Sequence, residues 1–416
     1  MQKFTVPKGM KDIEAQEMQE REAIYAKIKQ IFASRGFRLV EPSQLENMDT
    51  LTAKSGVDIE KEIYAFRDKG GRKIGLRFDL TVGMARMVAN SNEPKPIRLA
   101  CISNMWRYDN PQYARYRSFW QWDAEIYGAV GAEADAEIIA LTSDILHSFG
   151  LDFIIKINNR KLVEGFLIGI GVKKKDLVNA MRVLDKRTKL SANEFRSELK
   201  KFSVDAAKVD EFCKSDIKKL EKFATNELAK SGLGELRELF ALLEAYSINY
   251  EFDPSIVRGI DYYTSIVYEA WIRGEGKLGA VAGGGRYDDL LVLYGNPMPA
   301  CGIAGGIERL MLSLKEKPAI DKGTVFVAYV NDVKYAIDIV EKLRKLGISA
   351  LYDVSKRDLR KQMEYANKIN ATIAVIVGPK EAAEGKVKVR EMQSGKESEL
   401  DTSELVKIKA LMEKGN

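Results

Sequence analysis

Between Met105 and Gly128 the chain reads MWRYDNPQYARYRSFWQWDAEIYG, and this stretch holds the residue types best suited to chemistry. In its second half Trp120, Trp122, Ala124 and Ile126 alternate with Gln121, Asp123 and Glu125, so a strand there buries one face and presents a polar row on the other. A polar row facing inward calls for a polar ligand. Ahead of it Arg107, Arg115 and Arg117 flank a turn containing Asn110 and Pro111, which predicts a hairpin whose loop and ends carry guanidinium groups. Guanidinium forks match phosphate oxygens. Taken alone, the pattern also describes an ordinary hairpin with solvated arginines.

Composition removes the common alternatives. The single histidine, His147 in ILHSFG, falls at an expected helix end, where a structural role is the simpler one. A Ser-His-Asp or Cys-His mechanism would have to run through it. Cys101, Cys213 and Cys301 are far apart, with no CxxC, so neither a disulfide framework nor a zinc site is expected. Hydrophobic residues make up 45% and charged residues 30%, the profile of a folded soluble chain. The amino terminus lacks an apolar leader, and no stretch approaches the roughly 18 apolar residues that span a bilayer. A cytoplasmic protein without membrane association is expected. The net charge of +6 is modest for 416 residues and decides little about partners.

At this length two or three domains are expected. Residues 15 to 35 predict an amphipathic helix, with Ile24, Ile28, Ile31 and Phe32 at helical spacing and a stop at Gly36, followed by a strand in FRLVEP. From Leu76 to Glu125 the pattern predicts short strands and turns, then a helix from Ala132 to His147 and a strand at 153 to 158. Residues 172–233 turn lysine-rich and helical, which marks an insertion. Strands return in INYEFD and SIVYEAWI, and AGGGRYDD is expected to turn the chain toward a helix in GGIERLMLSL. From Gly323 the pattern starts afresh as βαβαββα.

With these segments in view, the chain resembles class II aminoacyl-tRNA synthetases. ARYRSFWQWDAEIYG is similar to the family's second signature in the form found in histidyl-tRNA synthetases, GIAGGIERL with Arg309 to the third, and IFASRGFRLVEP with Pro42 to the first. VRGIDYYTSIVYE, AGGGRYDDL, PKGMKD and LRFDLT extend the resemblance over essentially the whole chain. Where bacterial members carry LRPEGT this chain has Asp79 in LRFDLT, and Asp109 and Asn110 stand where those members have Glu-Arg. These variants resemble the archaeal and eukaryotic-type branch.

The resemblance implies an α+β fold: a class II catalytic domain over residues 1–320, an antiparallel sheet flanked by helices and interrupted by the helical insertion at 172–233, then an α/β anticodon-binding domain at 323–416. It implies a ligase that activates L-histidine with ATP and magnesium and transfers it to tRNA(His), acting as a homodimer without zinc. Arg107 and Arg258 would be catalytic, gripping the substrate carboxylate and the α-phosphate. Arg107, Asp109, Arg115 and Arg309 would bind ATP. Asp79, Thr81 and Gln121 would receive the α-ammonium group, Leu80 would join them in the histidine site, Glu125 and Tyr263 would take one imidazole nitrogen each, and Tyr262 and Tyr287 would wall the pocket. Gln112 and Arg115 would meet the tRNA acceptor end. A site that pairs both ring nitrogens can discriminate by roughly 10⁴-fold without editing.

Overall fold

In a computed structural model of the chain, which describes residues 4–53, 59–187, 190–202, 204–257, 263–316 and 323–414, the first long helix spans Ala15–Ser34. It buries Ile24, Tyr25, Ile28 and Phe32 at helical spacing. Gly36 ends it with φ +72, a conformation that costs other residues a Cβ clash.

The chain divides into two compact units, residues 1–318 and 319–416. Among the described residues, the first is built on an eight-stranded sheet. Its order is Arg38–Leu39, Ile97–Trp106, Ser118–Tyr127, Ala300–Gly306, Ala280–Arg286, Ile266–Ile272, Phe153–Asn159 and Tyr250–Phe252. Pairing is antiparallel except at the two edges, where short strands run parallel to their neighbours. The α+β expectation holds.

The strand Ser118–Tyr127 lies inside this sheet, and its two faces meet different cores. Trp122, Ala124 and Ile126 join the large apolar cluster with the helices Ala15–Ser34 and Ala132–Ser148. Tyr127 faces a smaller cluster containing Leu99, Cys101, Met105 and Tyr287. Burying Trp122 to 1% exposure contributes roughly 3 kcal/mol, and a one-residue register slip would drive that side chain among the polar groups and bury the polar row against apolar neighbours.

Two segments differ from their sequence reading. Within the stretch read as strands and turns, Leu80–Ala89 is a helix that begins at Asp79, whose side chain accepts from Val82 N at 3.0 Å. Leu80, Thr81, Val82, Gly83, Met84, Ala85 and Val88 are all buried, so no polar stripe gave the helix period away. The glycine-rich AVAGGGR is not a turn but the interior strand Ala280–Arg286. Glycine is a poor strand former; here the missing Cβ is the reason for its use. A Cβ on Gly284 would strike the carbonyl of Gly302 on the adjacent strand, and one on Gly285 would come within 2.8 Å of the Tyr263 ring.

The lysine-rich stretch folds as the helices Leu177–Asp185, Ala192–Lys200 and Ala206–Cys213, the second opened by a Ser191/Glu194 capping box, and its last helix, Glu227–Ala245, runs on past residue 233. None of the described helices is long and apolar enough to cross a membrane. The second unit carries a five-stranded sheet in the order Ala350–Tyr352, Val325–Tyr329, Ile373–Val377, Lys386–Glu391 and Glu397–Asp401, parallel over the first three and antiparallel thereafter. To the expected βαβαββα it adds a short helix, Pro379–Glu384, and the edge strand Glu397–Asp401.

Candidate active site

The hairpin that carries the arginines is held from outside as well as within. Arg107 N donates to Arg117 O, and Arg117 N donates to Gly9 O, both at 2.9 Å. The Arg117 guanidinium donates to the carbonyl of Asp109 at 2.9 Å and stacks 3.9 Å from the centroid of the Tyr108 ring. Gly9, at φ +82, lies so close to Arg117 that a Cβ would come within 2.8 Å of its side chain. The PKG segment therefore buttresses the loop. At the loop's tip Gln112 and Arg115 exchange backbone hydrogen bonds of 3.1 and 3.0 Å around Ala114, which has φ 59. Gln112 is exposed, while Arg115 is steered by Asp109, whose Oδ2 accepts from its Nε at 2.9 Å and its Nη2 at 2.5 Å.

Arg107 donates Nε to the carbonyl of Phe78 at 2.9 Å and lies 5.1 Å from the Phe119 ring centroid. Arg309, in the first turn of the helix Ile307–Ser313, donates Nη1 to Ala280 O at 2.6 Å. Beside it, Glu308 accepts from the backbone N of Trp120 at 3.1 and 3.2 Å, just beyond the last pair between the two strands, Gly306 with Gln121. Arg21 Nη2 pairs with the same carboxylate at 3.0 Å. These elements enclose a cavity of about 280 Å³ lined by Arg107, Arg115, Arg309, Gln121, Glu308 and Gly283, among others. Guanidinium groups from two separate parts of the chain, the hairpin and the helix Ile307–Ser313, thus border one space.

Deeper along the polar row, Glu125 is 1% exposed and both its oxygens accept hydrogen bonds: Oε1 from Thr81 Oγ1 at 2.6 Å, Oε2 from the Tyr287 hydroxyl. Burial pushes its carboxyl up to about 8, partly offset by those two donors and reinforced by Asp79. Asp79 is itself raised by burial against the pull of Arg107 and of its bonds at the helix start. Asp123 stands well above the usual carboxylate range for the same reason, with Asp79 and Glu125 close by. The floor beneath Glu125 is bare backbone. A Cβ on Gly302 would overlap the Glu125 carboxylate, so Gly302→Ala is expected to lower the thermal midpoint by an amount equivalent to about 1–3 kcal/mol. An unchanged melting curve would mean that the carboxylate does not lie over Gly302.

Of the residues singled out from sequence, Arg107, Asp109, Arg115, Gln121 and Arg309 line the cavity, while Thr81, Glu125 and Tyr287 form the hydrogen-bonded group behind it. Leu80 is fully buried in the smaller cluster, and Tyr263 packs at that cluster's edge over Gly285. Arg258 and Tyr262 lie outside the described residues. Four supporting residues escaped the sequence reading. Arg77, 1% exposed, donates to Asn104 O at 2.9 Å, Glu41 Oε1 at 2.6 Å and Pro42 O at 2.7 Å, and to Ser103. Arg286 fastens the glycine strand to Asp135 at 2.9 Å and to the carbonyls of Ala129 and Gly131 at 2.9 and 2.8 Å; burial still lifts Asp135 to about 6. Glu308 and Arg21 complete the set. Arg77 in LRFDLT, Arg286 in AGGGRYDDL and Glu308 in GIAGGIERL lay inside motifs read for their neighbours, and Arg21 had no such signal.

Comparison with known proteins gives these residues a family. A family model described as histidyl-tRNA synthetase matches residues 9–310, and one described as an anticodon binding domain matches residues 324–410. The chain is 39% identical to a histidine–tRNA ligase of Pyrococcus abyssi, over 97% of this chain and 98% of that one. It is 38% identical to the ligase of Pyrobaculum islandicum, over 96% of each. Among solved structures, histidyl-tRNA synthetase from Nostoc sp. PCC 7120 superposes with TM-score 0.84 at 24% identity, covering 99% of this chain and 100% of that one. A protein from Bacillus halodurans C titled ATP phosphoribosyltransferase regulatory subunit/histidyl-tRNA synthetase superposes with TM-score 0.77 at 24% identity, covering 90% of this chain and 98% of that one. Those two likenesses establish the fold; the near end-to-end identity with the archaeal ligases, joined to the matching family model, establishes that this chain belongs to the histidyl-tRNA synthetase family.

Proposed function

We propose that the chain is a histidine–tRNA ligase: it activates L-histidine with ATP to histidyl-adenylate and transfers the histidyl group to the 3′ end of tRNA(His), releasing AMP and diphosphate. The observation that carries this reading is the convergence of Arg107, Arg115 and Arg309 on one cavity beside the buried Thr81–Glu125–Tyr287 group.

In the activation step a histidine carboxylate oxygen attacks the α-phosphorus in line, and the bond from that phosphorus to the α,β-bridging oxygen breaks as diphosphate leaves with the electron pair. Such a step needs positioning and charge stabilisation, not a protein nucleophile or base. Arg107, with Arg258, holds the carboxylate and the α-phosphate; Arg115 and Arg309 hold the outer phosphates, and Asp109 steers Arg115. Magnesium brought by the nucleotide would supply further charge stabilisation. The carboxylates bordering the cavity are already engaged, Glu308 by Trp120 N and Arg21, Asp109 by Arg115, so these two side chains would have to leave those partners to hold a metal.

Asp79, Thr81 and Gln121 form the ammonium end of the pocket beside Leu80, with Glu125 and Tyr263 at the imidazole end and Tyr262 and Tyr287 as walls. A Glu125 carboxyl near 8 can accept from an imidazole N–H or donate to an imidazole nitrogen. Gln112 and Arg115, at an exposed loop tip, meet the tRNA acceptor end. The unit after residue 323 reads the anticodon, and the enzyme works in the cytoplasm as a homodimer joined through the segment around Pro42. The edge strand Arg38–Leu39 and the exposed Leu39, Leu45 and Phe66 support that surface.

Purified protein is expected to exchange labelled pyrophosphate into ATP only when histidine is present. Exchange driven by a different amino acid, or none with any, would overturn the assignment.

A further inference from the structure

The polar row on the strand Ser118–Tyr127 contains three side chains, and only two of them have a task. Gln121 borders the nucleotide cavity and Glu125 is held by Thr81 and Tyr287. Asp123 lies between them. It is 1% exposed, and its Oδ1 has no hydrogen-bond partner among the described residues. A buried carboxylate oxygen left in that state costs free energy unless something answers it.

The surroundings are short of positive charge. Asp79 and Glu125 approach Asp123 electrostatically, and the cations that offset them are Arg107 and Arg77. Arg77 is committed to Glu41, Ser103 and the carbonyls of Pro42 and Asn104. Arg107 is anchored on Phe78 O and faces the cavity. The Cys101 thiol, opposite Asp123 on the neighbouring strand, and the buried Tyr127 phenol are both neutral, each pushed above its ordinary range by burial. Three carboxyls therefore share one buried region in which one guanidinium is fully engaged elsewhere. A ligand that brings a compact cation with several N–H donors answers this imbalance.

We propose that Asp123 is a further substrate-binding residue, its unpartnered oxygen receiving the α-ammonium group of the amino acid between Gln121 and Glu125 and opposite Asp79. The inference rests on the functional reading above and deepens it. An ammonium group has three N–H donors, more than one carboxylate satisfies, so Asp79 and Asp123 take separate donors, and the incoming cation favours the ionised form that burial otherwise opposes.

The test is Asp123→Asn, which keeps the shape and removes the ability to ionise. The Michaelis constant for histidine is expected to rise about 10- to 100-fold, the usual effect of losing one charge-assisted hydrogen bond, with kcat within a few-fold of normal. Imidazolepropionate lacks the amino group and serves as a competitive inhibitor. Its inhibition constant is expected to stay the same or improve, because it has nothing to offer Asp123. Equal weakening of histidine and imidazolepropionate would assign Asp123 a structural role and overturn the inference, as would a normal Michaelis constant for histidine. If the amide disturbs folding, Asp123→Ala carries the same comparison. A wild-type protein without histidine-dependent exchange would overturn the functional reading and this inference together, whereas a normal variant of an active enzyme overturns the inference alone.

Discussion

Arg107→Lys is expected to lower the rate of histidine activation by about 10²-fold or more, although it keeps the positive charge. The reason is geometric. One face of the Arg107 fork is fixed by the bond from Nε to Phe78 O at 2.9 Å, and the side chain runs past the Phe119 ring into the cavity. With Nε tethered, the two terminal nitrogens are aimed before substrate arrives, so no reorganisation is needed as charge develops on the α-phosphoryl oxygens. A lysine has one rotatable ammonium, cannot hold the carbonyl and the phosphate at once, and keeps a more tightly bound water shell. The loss should fall on kcat rather than on the Michaelis constant for ATP. The tether itself is a single hydrogen bond, worth about 1 kcal/mol to the fold, so thermal unfolding should shift little. Rapid-quench measurement of adenylate formation reads the effect. A variant within tenfold of normal would remove Arg107 from the transition state.

What could be read before the structure follows from how far each signal reaches. The alternation in SFWQWDAEIY is local and has the strand period, so it gave both the buried face and the polar row, and the row supplied Gln121, Asp123 and Glu125. Arg107, Arg115 and Arg309 came from local motifs, and those motifs meet because strands neighbouring in space bring them to one end of the sheet. The helix Leu80–Ala89 was hidden for the opposite reason. Packed on nearly every side, it has no polar stripe, and its one sign was the capping Asp79. The strand Ala280–Arg286 was mistaken for a turn because glycine marks turns more often than close packing of strands. Arg77 with Glu41, and Arg286 with Asp135 across 151 residues, were out of reach, since nothing near either residue indicates its partner.

Glu125→Gln is expected to separate what the residue does for the ligand from what it does for the fold. In binding, the amide keeps the volume but cannot carry charge, and it offers the imidazole fixed donor and acceptor positions where the acid can supply either. The Michaelis constant for histidine should rise by about 10²-fold or more, the scale of sites built to pair a buried polar group. In stability the sign reverses. The ordinary value of such a carboxyl is 4.5 and the folded value is about 8, so between those limits the native chain holds a proton that the unfolded chain has released. Stability supplied by this group is therefore highest at low pH and is lost as pH rises through the window, levelling above about 8. Glutamine has no such window. Near pH 5 the variant and the parent should melt alike, because a protonated glutamic acid and an amide are nearly isosteric and the Thr81 and Tyr287 hydroxyls can rotate to suit either. Toward pH 8.5 the variant should become the more stable by an amount on the order of 3 kcal/mol. The parallel is a site in which recognition is built at the expense of the fold that holds it. Paired chemical-denaturation curves at the two pH values measure the difference, and a gap that does not widen with pH would show that Glu125 is ionised in the native protein across the whole range.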